Sequence, residues 1–231
     1  MHGKSNSNRT APLPAFLILL GYFAFALAAP AGAGEGGDDA GHVLDGLQNR
    51  YEATPDFEAD FTQETEIKTL NRRIQAAGRV YFKKPGKMLW RYRDPEGQVV
   101  LADGSYLYFY QPEEKQVLKT RLSKAFLSDT PLAFLLGIGD LKRDFIGELI
   151  GDEGSLYTLR LTPKADLGAV GGLSFGVEKA GLDIQWARIE DAVGNITTVR
   201  FDKMQKDVGL KDSLFRLQVP GDVDTVEIGK P

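Results

Sequence analysis

The chain has no cysteine and only two histidines, His2 and His42, in 231 residues. The first absence removes disulfides, Cys/His dyads and thiolate metal sites together. It also removes the lipobox cysteine on which a bacterial lipoprotein carries its lipid. The second absence leaves nothing for a histidine-rich metal centre. A Ser-His-Asp triad would have to use His42, which falls in a helix-like segment and is expected on its surface. No nucleophile elbow of the G-x-S-x-G kind is expected. Basic residues are also in deficit, 28 against 32 acidic ones, for a formal net charge of −4. A mildly acidic chain is a poor binder of nucleic acid, and no nucleic-acid partner is expected.

Long apolar runs are missing as well, with one exception. Phe16 to Ala28 is an apolar run of 13 residues, preceded by Lys4 and Arg9 and followed by Ala31-Gly32-Ala33. Thirteen residues fall short of the roughly 20 that span a bilayer. The basic start, short apolar middle and small-residue end have the layout of a secretory signal peptide over residues 1–33, cut after Ala33. Cleavage would leave 198 residues. It would remove two basic and no acidic residues, moving the net charge from −4 to −6. A flexible leader over 34–41 and a single domain over 42–231 are then expected, soluble and outside the cytoplasm.

What the chain does have is aromatic β-structure. Arg79 to Pro112 reads as three or four strands joined by short turns. Met88, Trp90 and Tyr92 fall on one face of an alternating run, and Lys87, Arg91 and Arg93 on the other. Lys84-Pro85-Gly86 and Asp94-Pro95-Glu96-Gly97 are turns, because proline presets φ and glycine accepts positive φ. Asp103-Gly104 is a hairpin signal. After it, Tyr106, Tyr108 and Tyr110 alternate with Leu107 and Phe109. Earlier, Val43, Leu44, Leu47 and Tyr51 mark an amphipathic helix. Phe57, Ala59, Phe61 and Gln63 mark a half-buried strand, and Ile74 to Phe82 another. Ser155–Leu161, Leu173–Val177, Leu182–Asp191, Ile196–Lys203 and Leu214–Val219 read as further strands. Asp140–Ile150 fits either helix or strand.

One segment breaks the β-rhythm. Thr130-Pro131 caps a short helix through Leu132 to Leu136, apolar on almost every side and stopped at Gly137. So short a helix is marginal alone. It is either a buried connector or a cover over an opening. About eleven strands joined by short turns make an antiparallel meander too wide to stay flat. The expected fold is mainly β, an incomplete (half-open) antiparallel β-barrel with a helical lid. Such a shape either packs solid or encloses an apolar cavity.

Five segments resemble one family, the outer-membrane lipoprotein carrier proteins (LolA). Phe61-Thr62-Gln63 resembles its early F-x-Q. Lys84-Pro85 through Met88-Leu89-Trp90 resembles its R-P-x-x-F-x-W. Asp103-Gly104 through Leu107-Tyr108-Phe109-Tyr110 to Pro112 resembles its D-G-x-x-L-W-x-Y-x-P hairpin. Leu161-Thr162-Pro163-Lys164 resembles its L-x-P-K strand end. Leu214-Phe215 to Val219-Pro220-Gly221 resembles its closing pattern. The resemblance implies a periplasmic chaperone, not an enzyme. It would carry acylated lipoproteins from an inner-membrane ABC transporter to an outer-membrane receptor, as a monomer and without a cofactor. It implies an acyl-chain cavity walled by Phe61, Met88, Trp90 and Val100, and a lid carrying Leu132, Ala133 and Leu135. Lys84 would control the lid. Lysine stands there where the family has arginine, and offers fewer donors in a less fixed geometry. Met88 replaces a bulky aromatic and suits a cavity that adapts to varied chains. A carrier of another lipid or glycolipid shares the same cavity logic. An esterase lacks a well-placed histidine, and a purely structural β-domain leaves the mid-chain apolar helix without a purpose beyond packing.

Overall fold

The computed structural model describes residues 37–122, 140–164 and 170–228. The proposed signal peptide and the short apolar helix with Leu132, Ala133 and Leu135 lie outside them. Helix α1 (Gly37–Ala53) is followed by β1 (Asp56–Ile67), β2 (Arg72–Lys83), β3 (Lys87–Asp94), β4 (Val99–Asp103), β5 (Tyr106–Gln111) and β6 (Gln116–Arg121). A single helical turn, α2 (Leu141–Asp144), leads into β7 (Phe145–Glu153), β8 (Leu156–Pro163), β9 (Val170–Glu178), β10 (Ile184–Asp191) and β11 (Ile196–Lys206). A 3-10 turn at Asp212–Phe215 precedes β12 (Asp224–Glu227).

The strands form one sheet in the order β12-β6-β5-β4-β3-β2-β1-β11-β10-β9-β8-β7. Every neighbouring pair is antiparallel except β12 with β6, which is parallel. β12 and β7 are the two ends of this order and do not pair with each other, so the barrel stays open. The expected half-open β-barrel is thus the fold, with twelve described strands. One face of the sheet closes on itself. Phe61 of β1, Val80 of β2, Met88 and Trp90 of β3, Val100 of β4, Phe109 of β5, Leu161 of β8, Phe175 of β9 and Phe201 of β11 belong to one buried cluster. Residues so far apart in the strand order meet only when the sheet curls around them.

Helix α1 lies over that concave side because its sequence gives it one greasy stripe. Ala40, Val43, Leu44 and Leu47 are 1–7% exposed and belong to the same cluster, while His42 is exposed. Spacings of three and four residues keep them on one helix face. The helix approaches β7 closely at Gly147, where a Cβ would collide with the Leu44 side chain.

Two local expectations are corrected, and one stretch that the sequence leaves open is resolved. The leader expected over 34–41 is helical from Gly37, because Ala40 continues the buried stripe one turn before Val43. The polar stretch from Glu64 to Gln75, which the sequence reads as either continuing or interrupting its strand, continues the sheet. β1 and β2 pair in unbroken register out to Ile67 opposite Arg72. A hairpin of 12-residue strands, about 40 Å long at ~3.3 Å per residue, outruns the core and needs no apolar residues at its tip. Leu214–Val219 is not a strand. It is a 3-10 turn and an extended segment lying on the convex face, where Phe215 packs on Leu89 and Leu101. β3 and β4 already have partners on both sides, so no ladder is open to it there. The closing strand is Asp224–Glu227, exposed at every residue. No described helix is long and apolar enough to cross a membrane.

Candidate functional site

Strand alternation delivers one set of rings to the hollow. Phe61 comes from β1, with Phe57 four residues before it. Phe82 comes from β2, Trp90 and Tyr92 from β3, and Phe201 from β11. Their ring centroids stand 4.8 Å apart for Phe61 and Trp90, 5.1 Å for Phe61 and Tyr92, and 4.7 Å for Phe57 and Phe82. Trp90 also faces Phe82 at 6.0 Å and Phe201 at 6.2 Å. Most of these are edge-on contacts, which suit the ring quadrupoles better than face-to-face stacking. Met88 and Val100, both fully buried, extend the same wall as a cross-strand neighbourhood of Ala102 and Trp90. The four described wall residues expected from the sequence therefore share one apolar surface. Phe57, Phe82, Tyr92 and Phe201 were not among them, though each falls on the inward phase of its strand.

The backbone makes room for these rings at one position. A Cβ on Gly78 would collide with the Arg91 carbonyl oxygen and stand 2.8 Å from the Phe61 ring. The β2–β3 register shifts at this point, between Ala77 and Gly78. Only glycine allows the bulge and the ring to coexist.

Polar groups in the hollow are few. Tyr92 Oη donates to Gln63 Oε1 at 3.4 Å, Gln63 Nε2 donates to Thr65 at 3.4 Å, and Thr65 meets Thr197 at 3.1 Å. Burial pushes the Tyr92 phenol well above its usual range, so it stays protonated and donating. The indole Nε1 of Trp90 is buried without a hydrogen-bond partner among the described residues.

The edge of the hollow is organised by Lys84, in the β2–β3 turn. Its Nζ donates to the carbonyl of Tyr51 in the last turns of α1 and stands 4.3 Å from the centroid of the Tyr51 ring. Partial burial lowers the pKa of this ammonium. A cation at a helix C-terminus meets unpaired carbonyls and the negative end of the helix dipole. Lys84 thus fastens α1 to the sheet. Beside it, an apolar cleft of about 40 Å³ opens between α1 and the β10–β11 side, lined by Leu47, Tyr51, Phe57, Ile184, Phe201 and Met204 among others.

The sequence Gly172-Leu173-Ser174-Phe175-Gly176 has the G-x-S-x-G spelling without the elbow. It lies inside β9, paired with β8 and β10, rather than at a strand-to-helix elbow. Ser174 sits opposite Arg188 and Arg160, with no histidine at hand among the described residues. Among those residues, too, no cluster of acidic or histidine side chains could hold a metal ion.

An open sheet curled around a cluster of aromatic rings, with a tethered helix over its concave side, defines a half-open β-barrel protein with an apolar interior. The chain belongs to the LolA family: the family described as outer membrane lipoprotein carrier protein LolA matches residues 52–218. It is 31% identical over 206 residues to an outer-membrane lipoprotein carrier protein of Cupriavidus necator, covering 88% of this chain and 92% of that one. It is 29% identical over 181 residues to the protein of the same name in Methylococcus capsulatus, covering 78% and 86%. A crystal structure of an uncharacterized conserved protein from Thermus thermophilus shares the fold, with a TM-score of 0.53 and 12% identity. That match covers 82% of this chain and 99% of the other.

Proposed function

We propose that this protein is a periplasmic chaperone that binds the acyl chains of lipoproteins in its hollow. It receives them from an inner-membrane ABC transporter and passes them to an outer-membrane receptor, acting as a monomer and not as an enzyme. The observation that carries this reading is the single apolar surface made by Phe61, Met88, Trp90 and Val100 beneath a helix whose C-terminal end is fastened by Lys84. Each buried CH₂ contributes about 0.8 kcal/mol, so an acyl chain leaves a membrane only for another apolar enclosure. Phe61, Met88, Trp90 and Val100 are at most 4% exposed, so cargo reaches them only if the covering elements move. A lysine tether suits that need, because it is firm enough to close and weak enough to reopen. The lid residues Leu132, Ala133 and Leu135 would complete the enclosure. The names of the relatives and the secretory layout of the N-terminus support the periplasmic setting.

Native mass spectrometry of protein recovered from a periplasm tests the reading. A lipoprotein adduct of defined mass is the expected result. A bound free lipid or glycolipid would replace lipoprotein by another lipid cargo. An empty protein that also fails to take a lipoprotein from its transporter would sink the carrier reading.

A further inference from the structure

The convex face carries a second hollow, unconnected with the ring-lined one. After β11 the chain turns back as a strap across the outside of β3 and β4. The buried Asp56 carboxylate fixes its start, accepting from the backbone N–H groups of Val208, Gly209 and Leu210 at 2.8, 3.2 and 2.9 Å. Lys83 donates to the Leu210 carbonyl at 2.6 Å. Asp212 bridges Lys83 and Lys87 at 2.7 and 2.9 Å. Phe215, 2% exposed, plugs the strap onto Leu89 and Leu101. Between strap and sheet remains a half-open hollow of about 500 Å³. That is within the range of small-molecule sites, roughly 300–1,000 Å³.

Its lining has two parts. Leu89, Val99 and Leu101 form the floor, and Leu214 and Leu217 the strap side. Arg91, Lys211 and Arg216 stand around it, all exposed, with Ser213 and Gln218 between them. No carboxylate lines the hollow among the described residues. The nearest strap acid, Asp212, is engaged by Lys83 and Lys87. None of the three cations has an ion pair among the described residues, although Arg91 lies over the Tyr81 ring at 5.9 Å. In a chain of net charge −4, three uncompensated cations over an aliphatic floor make a local positive field of specific shape.

We propose that this convex hollow binds a single-tailed anionic amphiphile. Its carboxylate or phosphate head meets Arg91, Lys211 and Arg216, and its apolar tail lies on the partly exposed Val99, Leu214 and Leu217. Two arginines supply planar forks suited to either oxyanion. The site is separate from the concave surface, so its occupancy does not depend on the carrier reading.

Titration of ¹⁵N-labelled protein with hexyl phosphate and with hexanoate tests this by site-resolved chemical shifts. Saturable shifts are expected at the amides of Leu89, Arg91, Leu214 and Leu217, and the more strongly shifting probe identifies the head. Hexanol should leave these amides in place. R91Q/R216Q should weaken binding at least tenfold while leaving lipoprotein uptake in the ring-lined hollow intact. Ser213→Trp, which fills the hollow without touching the charges, should abolish it independently. The proposal fails if the shifts fall instead on Phe61, Trp90 and Phe201, or if both variants bind as well as the parent. It also fails if inorganic phosphate alone reproduces the effect, which would mark a bare anion site. An acidic peptide moving these amides where hexyl phosphate does not would reassign the face to protein docking.

Discussion

At the scale of single residues, Lys84 has the most to do for its size. It ties a turn of the sheet to the end of α1 through one carbonyl and one ring. Lys84→Ala removes a charge-assisted hydrogen bond, which contributes about 1.5–3 kcal/mol where geometry is good. The expected result is faster hydrogen exchange in the last turn of α1, together with altered uptake and release of acylated cargo. Unchanged exchange and unchanged transfer would remove Lys84 from lid control. Trp90 gives a contrasting case, since it is wall rather than tether. Trp90→Ala should cost about 3–5 kcal/mol of stability, read as a lowered denaturant midpoint, because a ring enclosed by Phe61, Phe82 and Phe201 leaves a cavity that cannot collapse.

At the scale of elements, the strap is the part most sensitive to acid. Its hydrogen bonds and charges to Lys83 and Lys87 hold the Asp212 carboxyl down to about 2, from an ordinary 3.8. The folded form therefore binds this proton less readily than the unfolded one. The contribution is complete above 3.8 and is lost as the pH falls through about 2. Asp212 is exposed, so the effect is screened by salt. Amides of Leu214 to Gln218 should exchange faster across that window in the parent chain. Asp212→Asn should show faster exchange than the parent already at neutral pH and a smaller change across that window. Strap amides that ignore both acid and the substitution would show that Asp212 does not hold the segment.

Elements also show what could be read in advance. β3 was legible because Met88, Trp90 and Tyr92 alternate with Lys87, Leu89, Arg91 and Arg93, and the structure keeps that phase, with Leu89 buried on the other face under Phe215. The strap was misread because Phe215, Leu217 and Val219 have strand spacing. Spacing records which side is buried, not whether a ladder edge is free. The true last strand was missed for the opposite reason. An edge strand with one neighbour and both faces wet has no alternation to display, and Asp224-Thr225-Val226-Glu227 looks like a loop. In β10 a bulge between Ile184 and Trp186 shifts the phase, so Ile184 and Ala187 are both buried while Trp186 covers Gly176 outside. Of the candidate site, strand periodicity put Met88, Trp90 and Tyr92 on one face, while the assignment of a wall with Phe61 and Val100 is what the family resemblance implies. The tether of Lys84 to α1 depends on where two distant segments meet, which periodicity does not encode.

At the scale of the whole molecule, the two tryptophans divide inside from outside. Trp90 lines the hollow, and Trp186 lies half-buried over Gly176 of β9. In Trp186→Phe, emission comes from the hollow alone and should change on adding a triacylated lipopeptide. In Trp90→Phe the same addition should leave emission nearly unchanged. A response carried by Trp186 instead would place the acyl chains elsewhere.

The strand order has a kinetic consequence. β1, the first strand made, stands in the middle of the sheet, with β2 to β6 added on one side and β11 back to β7 on the other. Each wing is a succession of short-range hairpins that can nucleate as soon as its own chain is available. The seam between them, Phe61 opposite Phe201, closes a loop of more than half the chain. Closure entropy at that seam is met before any contact across it is gained, so the wings form early and their joining limits the folding rate. Conservative truncations along the β1–β11 seam should therefore slow refolding, whereas those in the β4–β5 hairpin should chiefly hasten unfolding. For a chain that emerges as separate halves, the interval before the seam closes is when its aromatic face is open to the wrong partners.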